Sequence, residues 1–286
     1  MSGILGAVLC LGVGMLFSAC DAPSGSKFRM GPTPENPSSK PQRIVSLDLC
    51  ADQFVLKLVE PDRILAVSPD AGKDFSYMRS AATGVPMVRP TAEDVLILKP
   101  DLIVRAYGGG PDAAAYFDRL GIPVLDVGWA NDIDTVLADI ERMATGLGSA
   151  EKGRQLIAET RKRLDVLAAK GFQQNVLYMT PAGVTTGPGS LVHNMLETAG
   201  FVNFQTEAGW RSLPLERLAY ERPDLVAAAF FETLTNHPNA WSAARHPVAR
   251  QQLDAPTTVP LQGAWTACGG WFILDAVEAL AGSVTE

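Results

Sequence analysis

The residue types that carry covalent chemistry are few in this chain, and they do not gather. Its three histidines are His193, His237 and His246. His193 lies in a helical pattern, where an ordinary partly buried side chain is expected. His237 and His246 each precede a proline, which holds them in extended or turn backbone. No cysteine lies close to any of them, so the spacing of a zinc site is missing. Also missing are a Gly-x-Ser-x-Gly elbow, a His-Glu-x-x-His pair and a phosphate-binding loop with its lysine. No catalytic residue and no resident metal or cofactor is expected. One pattern argues the other way. Gly108, Gly110 and Ala113 spell Gly-x-Gly-x-x-Ala after an apolar run, and Asp126 closes the next run. That is the outline of a dinucleotide fingerprint, with glycines to admit a pyrophosphate and an acid for the ribose. Here it follows the third strand pattern rather than the first, which weighs against a nicotinamide enzyme.

The four cysteines sort by position. Cys10 falls inside an apolar run at residues 4–19, short for a membrane span and right for a signal-peptide core. Cys20 ends the run Leu16-Phe17-Ser18-Ala19-Cys20, which resembles the lipobox of bacterial lipoproteins, where that cysteine takes the lipid. Phe17 stands where leucine is usual, and the first three residues carry no Lys or Arg. The expectation is a signal peptide over residues 1–19 that delivers the chain to the periplasm, with a membrane anchor at Cys20. Residues 20–41 hold five prolines and read as a flexible tether. Cys50 and Cys268 remain, in a compartment that permits disulfides. A disulfide, two buried thiols and a ligand contact all fit, and the even count left after Cys20 puts the disulfide first.

With 286 residues and 47% hydrophobic content, the chain can bury a sizeable core and suggests two domains. A net charge of −7 disfavours a nucleic-acid partner, which wants a basic face.

The elements that must position these residues alternate strand and helix, which argues for parallel sheets. Strand patterns cover residues 43–48, 63–68, 102–106 and 123–127. Helices are expected at 51–59, from Thr91 through Glu93, from Pro111 to Leu120, and at 133–147. Residues 69–90 are long and irregular, the length of a functional or mobile loop. Leu156, Ile157, Thr160, Leu164, Leu167 and Ala168 then recur at helical spacing in a linker helix at 149–171, capped by Ser149 and closed by Gly171. Its length would be about 30 Å. A second series follows: a strand at 175–179, a helix opened by Ser190, a loop at 207–214 and a short helix carrying Glu216. A strand at 224–230, a helix at 241–253, a strand at 257–261 and a closing helix at 269–281 complete it. Glu93 and Glu216 each start the same pattern: Glu, six residues, Pro-Asp-Leu, then a strand. The repeat suggests an N-terminal α/β lobe at 42–148 and a C-terminal α/β lobe at 172–286, joined by the linker. Tyr77, Tyr107, Trp210, Trp241, Trp265 and Trp271 fall mostly in loops after strands or before helices, where open α/β sheets bind ligands.

The opening RIVSLDLCADQ at 43–53, the Lys99-Pro100-Asp101 junction, the AYGGGP turn at 106–111, the single linker helix and the second Glu helix form one set. Over residues 42–283 this set resembles the class III substrate-binding proteins of ABC importers. These are periplasmic or lipid-anchored receptors for vitamin B12, ferric siderophores and related chelates. The resemblance implies two Rossmann-like lobes on one long rigid helix, a monomer that moves little on binding, and delivery to an ABC permease with its ATPase. It implies docking through Glu93 and Glu216, and ligand contacts at Tyr107, Trp210 and Trp265, with Arg89 in the loop that gives siderophore receptors a chelate-binding arginine; Tyr77 joins this set from the loop aromatics alone. The spacing of Arg89 from Glu93 is not the family's usual one. Cys50 and Cys268 would both open helices at the cleft mouth, where a disulfide would tie the lobes. A ferric siderophore-type chelate is the leading ligand and a corrinoid the next; haem falls behind because no cleft His or Tyr pair is evident. The alternative class is an exported α/β enzyme acting on a small ligand.

Overall fold

The structure, a computed structural model, describes residues 40–167, 171–230, 242–254 and 257–284. The signal sequence, Cys20, most of the tether, Ala168, His237 and Trp241 lie outside the described residues. The first half builds β1 (Ile44–Ser46), α1 (Leu49–Leu58), β2 (Ile64–Ala66), α2 (Ala92–Ile97), β3 (Leu102–Arg105), α3 (Ala113–Arg119), β4 (Val124–Asp126) and α4 (Ile133–Gly146). Its strands are parallel in the order β2-β1-β3-β4. Strands β1 and β3 are buried along their whole length, as a parallel sheet covered on both faces requires. After α5 (Ala150–Leu167) come β5 (Asn175–Met179), β6 (Val184–Thr186), α6 (Leu191–Thr198), β7 (Val202–Asn203), β8 (Trp210–Ser212) and α7 (Leu215–Leu218). The chain closes with β9 (Leu225–Ala229), α8 (Pro247–Leu253), β10 (Thr258–Leu261), α9 (Gly263–Thr266) and α10 (Ile273–Ser283). Here the parallel order is β10-β9-β5-β7.

Counted along the chain, both sheets therefore run second-first-third-fourth. The repeated Pro-Asp-Leu has a physical task in each. The Asp101 carboxylate accepts the N–H groups of Gln42 and Arg43 at 2.8 and 2.9 Å, where the chain enters β1. The Asp224 carboxylate accepts the N–H of Asn175 at 2.7 Å, where it enters β5. Each aspartate at the start of a third strand thus holds the start of the first strand beside it.

Several expected elements differ. The linker helix begins at Ala150, and Ser149 does not cap it: its hydroxyl is buried with no hydrogen-bond partner, while its N–H goes to Ala144 O at 2.7 Å. Pro111 precedes α3 instead of opening it. The helix expected from residue 241 starts at Pro247, with His246 Nδ1 accepting from Val248 N at 3.3 Å, because proline fits a first turn and not an interior. The closing helix starts at Ile273, since the glycines at 269 and 270 sit in the loop before it. The loop expected at 207–214 contains β8, which pairs antiparallel with β6 in a two-stranded ribbon outside the parallel sheets. Its Trp-Arg-Ser sequence carries no apolar alternation from which a strand could be read.

The halves are joined by more than one helix. α5 lies against α4 and α10, and its Arg163 bonds Asp275 and Glu278 of α10 at 2.6 and 2.7 Å. Cys50 of α1 and Cys268 form a disulfide with a Cα–Cα distance of 5.4 Å. Beside it, Trp271 meets Phe54 edge-on at 5.8 Å, and Tyr77 stacks on Phe272 at 4.9 Å. Ile133 N donates to Asn194 Oδ1 at 3.0 Å. One buried apolar cluster runs from Ile44 and Phe54 to Met195 and Leu280. Close packing of this kind resists hinge opening.

Candidate ligand-binding site

The C-terminal ends of the strands carry the site. In the first half, the opening turns of α1 hold these loops with polar side chains. Asp48 caps α1 through Ala51 N at 3.0 Å with one carboxylate oxygen. The other accepts the N–H groups of Ala106, Tyr107 and Gly108 at 2.6, 2.9 and 2.8 Å. Asp52, fully buried, accepts from Ser68 N and Oγ at 3.0 and 2.6 Å. Burial pushes its carboxyl up to about 6, against the pull of its hydrogen bonds. Gln53 accepts from Met78 N at 2.8 Å and donates to Ser76 at 3.2 Å. The irregular stretch at 69–90 is thereby pinned to α1.

This arrangement disposes of the dinucleotide pattern. A pyrophosphate needs free loop N–H groups, and those of residues 106–108 already serve Asp48. The glycine carbonyls are occupied too: Arg105 donates to Gly108 O at 2.8 Å and Gly110 O at 2.9 Å, and pairs with Asp126 at 3.3 Å. A Cβ at Gly108 would stand 2.4 Å from Leu47 O, so this glycine serves close backbone packing. Tyr107 projects from the loop, exposed, and burial of its phenol nonetheless pushes it up to about 12.

In the second half, the strand ends enclose a concavity of about 330 Å³. Tyr178, Thr180, Ala182, Val184, Trp210, Phe230, Thr266 and Ala267 line it. The Tyr178 hydroxyl lies 3.2 Å from Thr266 Oγ1, and Trp210 meets the Tyr178 ring edge-on at 6.2 Å. Phe230 has φ of 67°, an uncommon backbone state for a bulky residue. Its ring lies where a Cβ at Gly263 would come within 2.4 Å, so Gly263 makes room for it. No charged side chain belongs to this lining among the described residues. Trp210 also lines a wider groove of about 780 Å³ with Arg211, Glu216 and Arg217. That groove is lined by residues 205–207 and 210–217 alone, whereas the smaller concavity takes in the ends of β5 and β9. The smaller one has the place and chemistry of a ligand seat.

Known proteins share this architecture. The model of the periplasmic binding protein family matches residues 44–238. The chain belongs to the periplasmic binding protein family. It is 25% identical over 198 residues to a cobalamin-binding protein of Halobacterium salinarum, covering 66% of this chain and 54% of that protein. The chain thus spans about half the length of the first curated relatives it matches. A periplasmic vitamin B12 binding protein of Vibrio cholerae superposes with a TM-score of 0.64 at 22% identity, over 85% of this chain and 96% of that one. A periplasmic heme binding protein of Pseudomonas aeruginosa gives 0.63 at 21%, over 85% and 92%. These structures share the two-lobed α/β fold.

Within this periplasmic binding protein, the residues singled out from sequence scatter. Trp210 lines the concavity. Trp265 precedes two lining residues but packs against the apolar cluster. Tyr107 stands at the end of β3 in the other half. Tyr77 and Trp271 belong to the seam; burial, then a hydrogen bond with Asp275, pushes Tyr77 up to about 12. Arg89 grips Asp94 through two bonds at 2.8 and 3.3 Å at the start of α2, and holds that carboxyl below its usual range. Glu93 and Glu216 are each the second residue of their helix, exposed, and engaged in none of the ion pairs of the described residues. Sequence reading missed Trp129, which stands exposed after β4 and follows its strand as Tyr107 follows β3. It also missed Tyr178 and Phe230, which look like ordinary strand residues.

Proposed function

We propose that this chain is the extracytoplasmic substrate-binding component of an ABC importer, carrying a corrinoid in the cleft between its lobes to a permease docked at Glu93 and Glu216. The neutral, aromatic lining around Trp210 carries the reading. A corrinoid is a large macrocycle with amide-bearing side chains; it suits flat apolar surface with a few hydroxyls such as those of Tyr178 and Thr266. Tyr107 supplies a further aromatic from the other half. The similarity to a cobalamin-binding protein supports the same choice. A ferric siderophore is the second reading, favoured by Arg89, whose side chain is 75% exposed in its pair with Asp94 and can be recruited by an anionic chelate. In this reading the chain binds and releases its ligand unchanged, and it works as a monomer held to the membrane through Cys20.

The test is direct. Cyanocobalamin, haemin and a ferric hydroxamate are titrated into protein lacking residues 1–20 while tryptophan emission and heat are followed. Cyanocobalamin is expected to quench and bind. Trp210→Ala is expected to weaken it by about 1–3 kcal/mol, the scale of losing one large aromatic contact. Silence across the panel refutes the ligand class, and chemical turnover of any member returns the exported-enzyme alternative.

A further inference from the structure

Each of the two exposed glutamates is followed, four residues on, by an apolar side chain. Ile97 lies four residues after Glu93, and Tyr220 lies four residues after Glu216. In a helical turn that spacing places side chains side by side, and the turn of α7 runs on through Ala219 N to Leu215 O and Tyr220 N to Arg217 O. Ile97 is 76% exposed and Tyr220 92%. Single exposed apolar side chains are ordinary, and Val166, at 72%, is one. Ile97 and Tyr220 differ from it because they occupy the same place in two halves of identical strand order. An exposed base follows each by two residues, Lys99 in one half and Arg222 in the other. The repeated surface unit is therefore carboxylate, apolar side chain, cation.

We propose that Ile97 and Tyr220 are the apolar anchors of a docking surface that occurs twice. Its occupant is a two-fold-related membrane permease that offers, on each protomer, an arginine beside an apolar pocket. This rests on the importer reading above and adds to it. A surface that recurs about the molecule's internal repeat matches a partner whose own surface recurs. The unpaired carboxylates call for arginine, which grips them bidentately. Exposed ion pairs alone hold weakly; they steer and orient. The holding energy of protein interfaces comes from a few side chains seated in pockets, tyrosine prominent among them. Glu93 and Glu216 set the approach, and Ile97 and Tyr220 set the residence time.

The experiment uses the full tagged chain in its host membrane, with no transported ligand required. A photocrosslinking amino acid replaces Ile97, Tyr220 or Val166, and labelled proteins are identified by mass spectrometry. In parallel, recovery of the permease with the tagged chain is compared for Ile97→Ser with Tyr220→Ser, Val166→Ser, and Glu93→Arg with Glu216→Arg. The expected result is labelling of one ABC permease from positions 97 and 220 and not from 166. Recovery should fall about tenfold or more in the double serine variant, and remain unchanged in Val166→Ser. Wild-type recovery by the double serine variant, with loss in the double arginine variant, overturns the anchors and leaves the docking glutamates standing. Wild-type recovery by both overturns the importer docking beneath them as well. Labelling of a second copy of this chain overturns the proposal in favour of a homodimer.

Discussion

The two halves of this protein share a frame and differ in how they finish it. Both sheets run second-first-third-fourth, both tie first to third strand through an aspartate, and both present an exposed glutamate on the helix before that aspartate. Their interiors diverge. Among the described residues the buried charged ones are Asp48, Asp52, Arg63, Arg105 and Asp139, all in the first half. The buried polar residues described in the second half are threonines, serines, asparagine and glutamine. The first half spends its charges on pinning its own loops. The second half adds the ribbon of β6 and β8, which brings Trp210 over an uncharged concavity. What is duplicated therefore faces outward or holds the frame, and what is unique makes the uncharged concavity.

If the outward features are equivalent, the halves should respond alike to charge reversal. Glu93→Arg with Glu216→Arg is expected to lower uptake at least about a hundredfold, since a like charge against a partner's arginine costs several kcal/mol. Ligand affinity and fold should be nearly unchanged. Each single reversal should give a similar partial loss, measured as uptake in cells lacking the wild-type chain. Normal uptake by the double variant removes the docking assignment, and lost ligand binding moves these glutamates into the cleft.

The seam is the next place to press. The disulfide joins positions 218 apart in sequence, so the loop it closes is long. Cys50→Ala with Cys268→Ala is expected to lower unfolding stability by about 3–5 kcal/mol. Ligand affinity should change much less, because α5, the Trp271 and Phe272 contacts and the Arg163 bridges still hold the halves together. Chemical denaturation beside a ligand titration checks both. A collapse of affinity with unchanged stability would mean that the disulfide shapes the seat itself.

The frame was legible in the sequence because it is repeated and periodic. The Glu and Pro-Asp-Leu pattern located both third strands, and apolar runs located the buried strands around them. The opening RIVSLDLCADQ carried the family resemblance only together with the Lys99-Pro100-Asp101 junction, the AYGGGP turn, the linker helix and the second Glu helix, while the work of Asp48, Asp52 and Gln53 lies in contacts up to 60 residues away along the chain and has no local pattern. The candidate seat was the least legible part. Trp210 stood out by type, but Tyr178 and Phe230 are chemically ordinary until the fold brings β5 and β9 together. Tyr77 and Trp271 misled for the converse reason: a loop aromatic can fill a seam as well as a cleft.

The buried charge of the first half predicts a pH response that the second half should lack. Asp52 titrates near 6 in the folded protein against an ordinary 3.8. With the folded value raised, the native state binds more protons between those values, so stability rises as pH falls from about 6 to about 4. The gain is on the order of 2–3 kcal/mol. Glu60 acts in the opposite sense: Arg63 holds it down to about 2, so its contribution fades as pH falls below its ordinary value. Asp52→Asn should flatten the profile between pH 4 and 6 and leave the acid limb in place. An unchanged slope in the variant would assign the effect to another group.

The smallest expected effect tests the shared frame itself. Asp101 accepts two N–H groups at the entry to β1, and Asp224 accepts one at the entry to β5. Both aspartates are exposed, so water takes over part of what either loses. Hydrogen bonds to a charged acceptor in such a place contribute roughly 0.5–1 kcal/mol each after that exchange. Asp101→Ala should therefore cost about 1–2 kcal/mol and Asp224→Ala about half as much, read from urea midpoints at constant slope. The first half also has a second tie, because the Arg43 guanidinium donates to Leu98 O and Lys99 O at 2.5 and 2.8 Å, just before Asp101. Arg43→Ala and Asp101→Ala loosen the same junction, so together they should cost more than the sum of the two alone. Equal losses at Asp101 and Asp224 would mean that the repeat keeps this aspartate for the turn after the proline and not for the strand beside it.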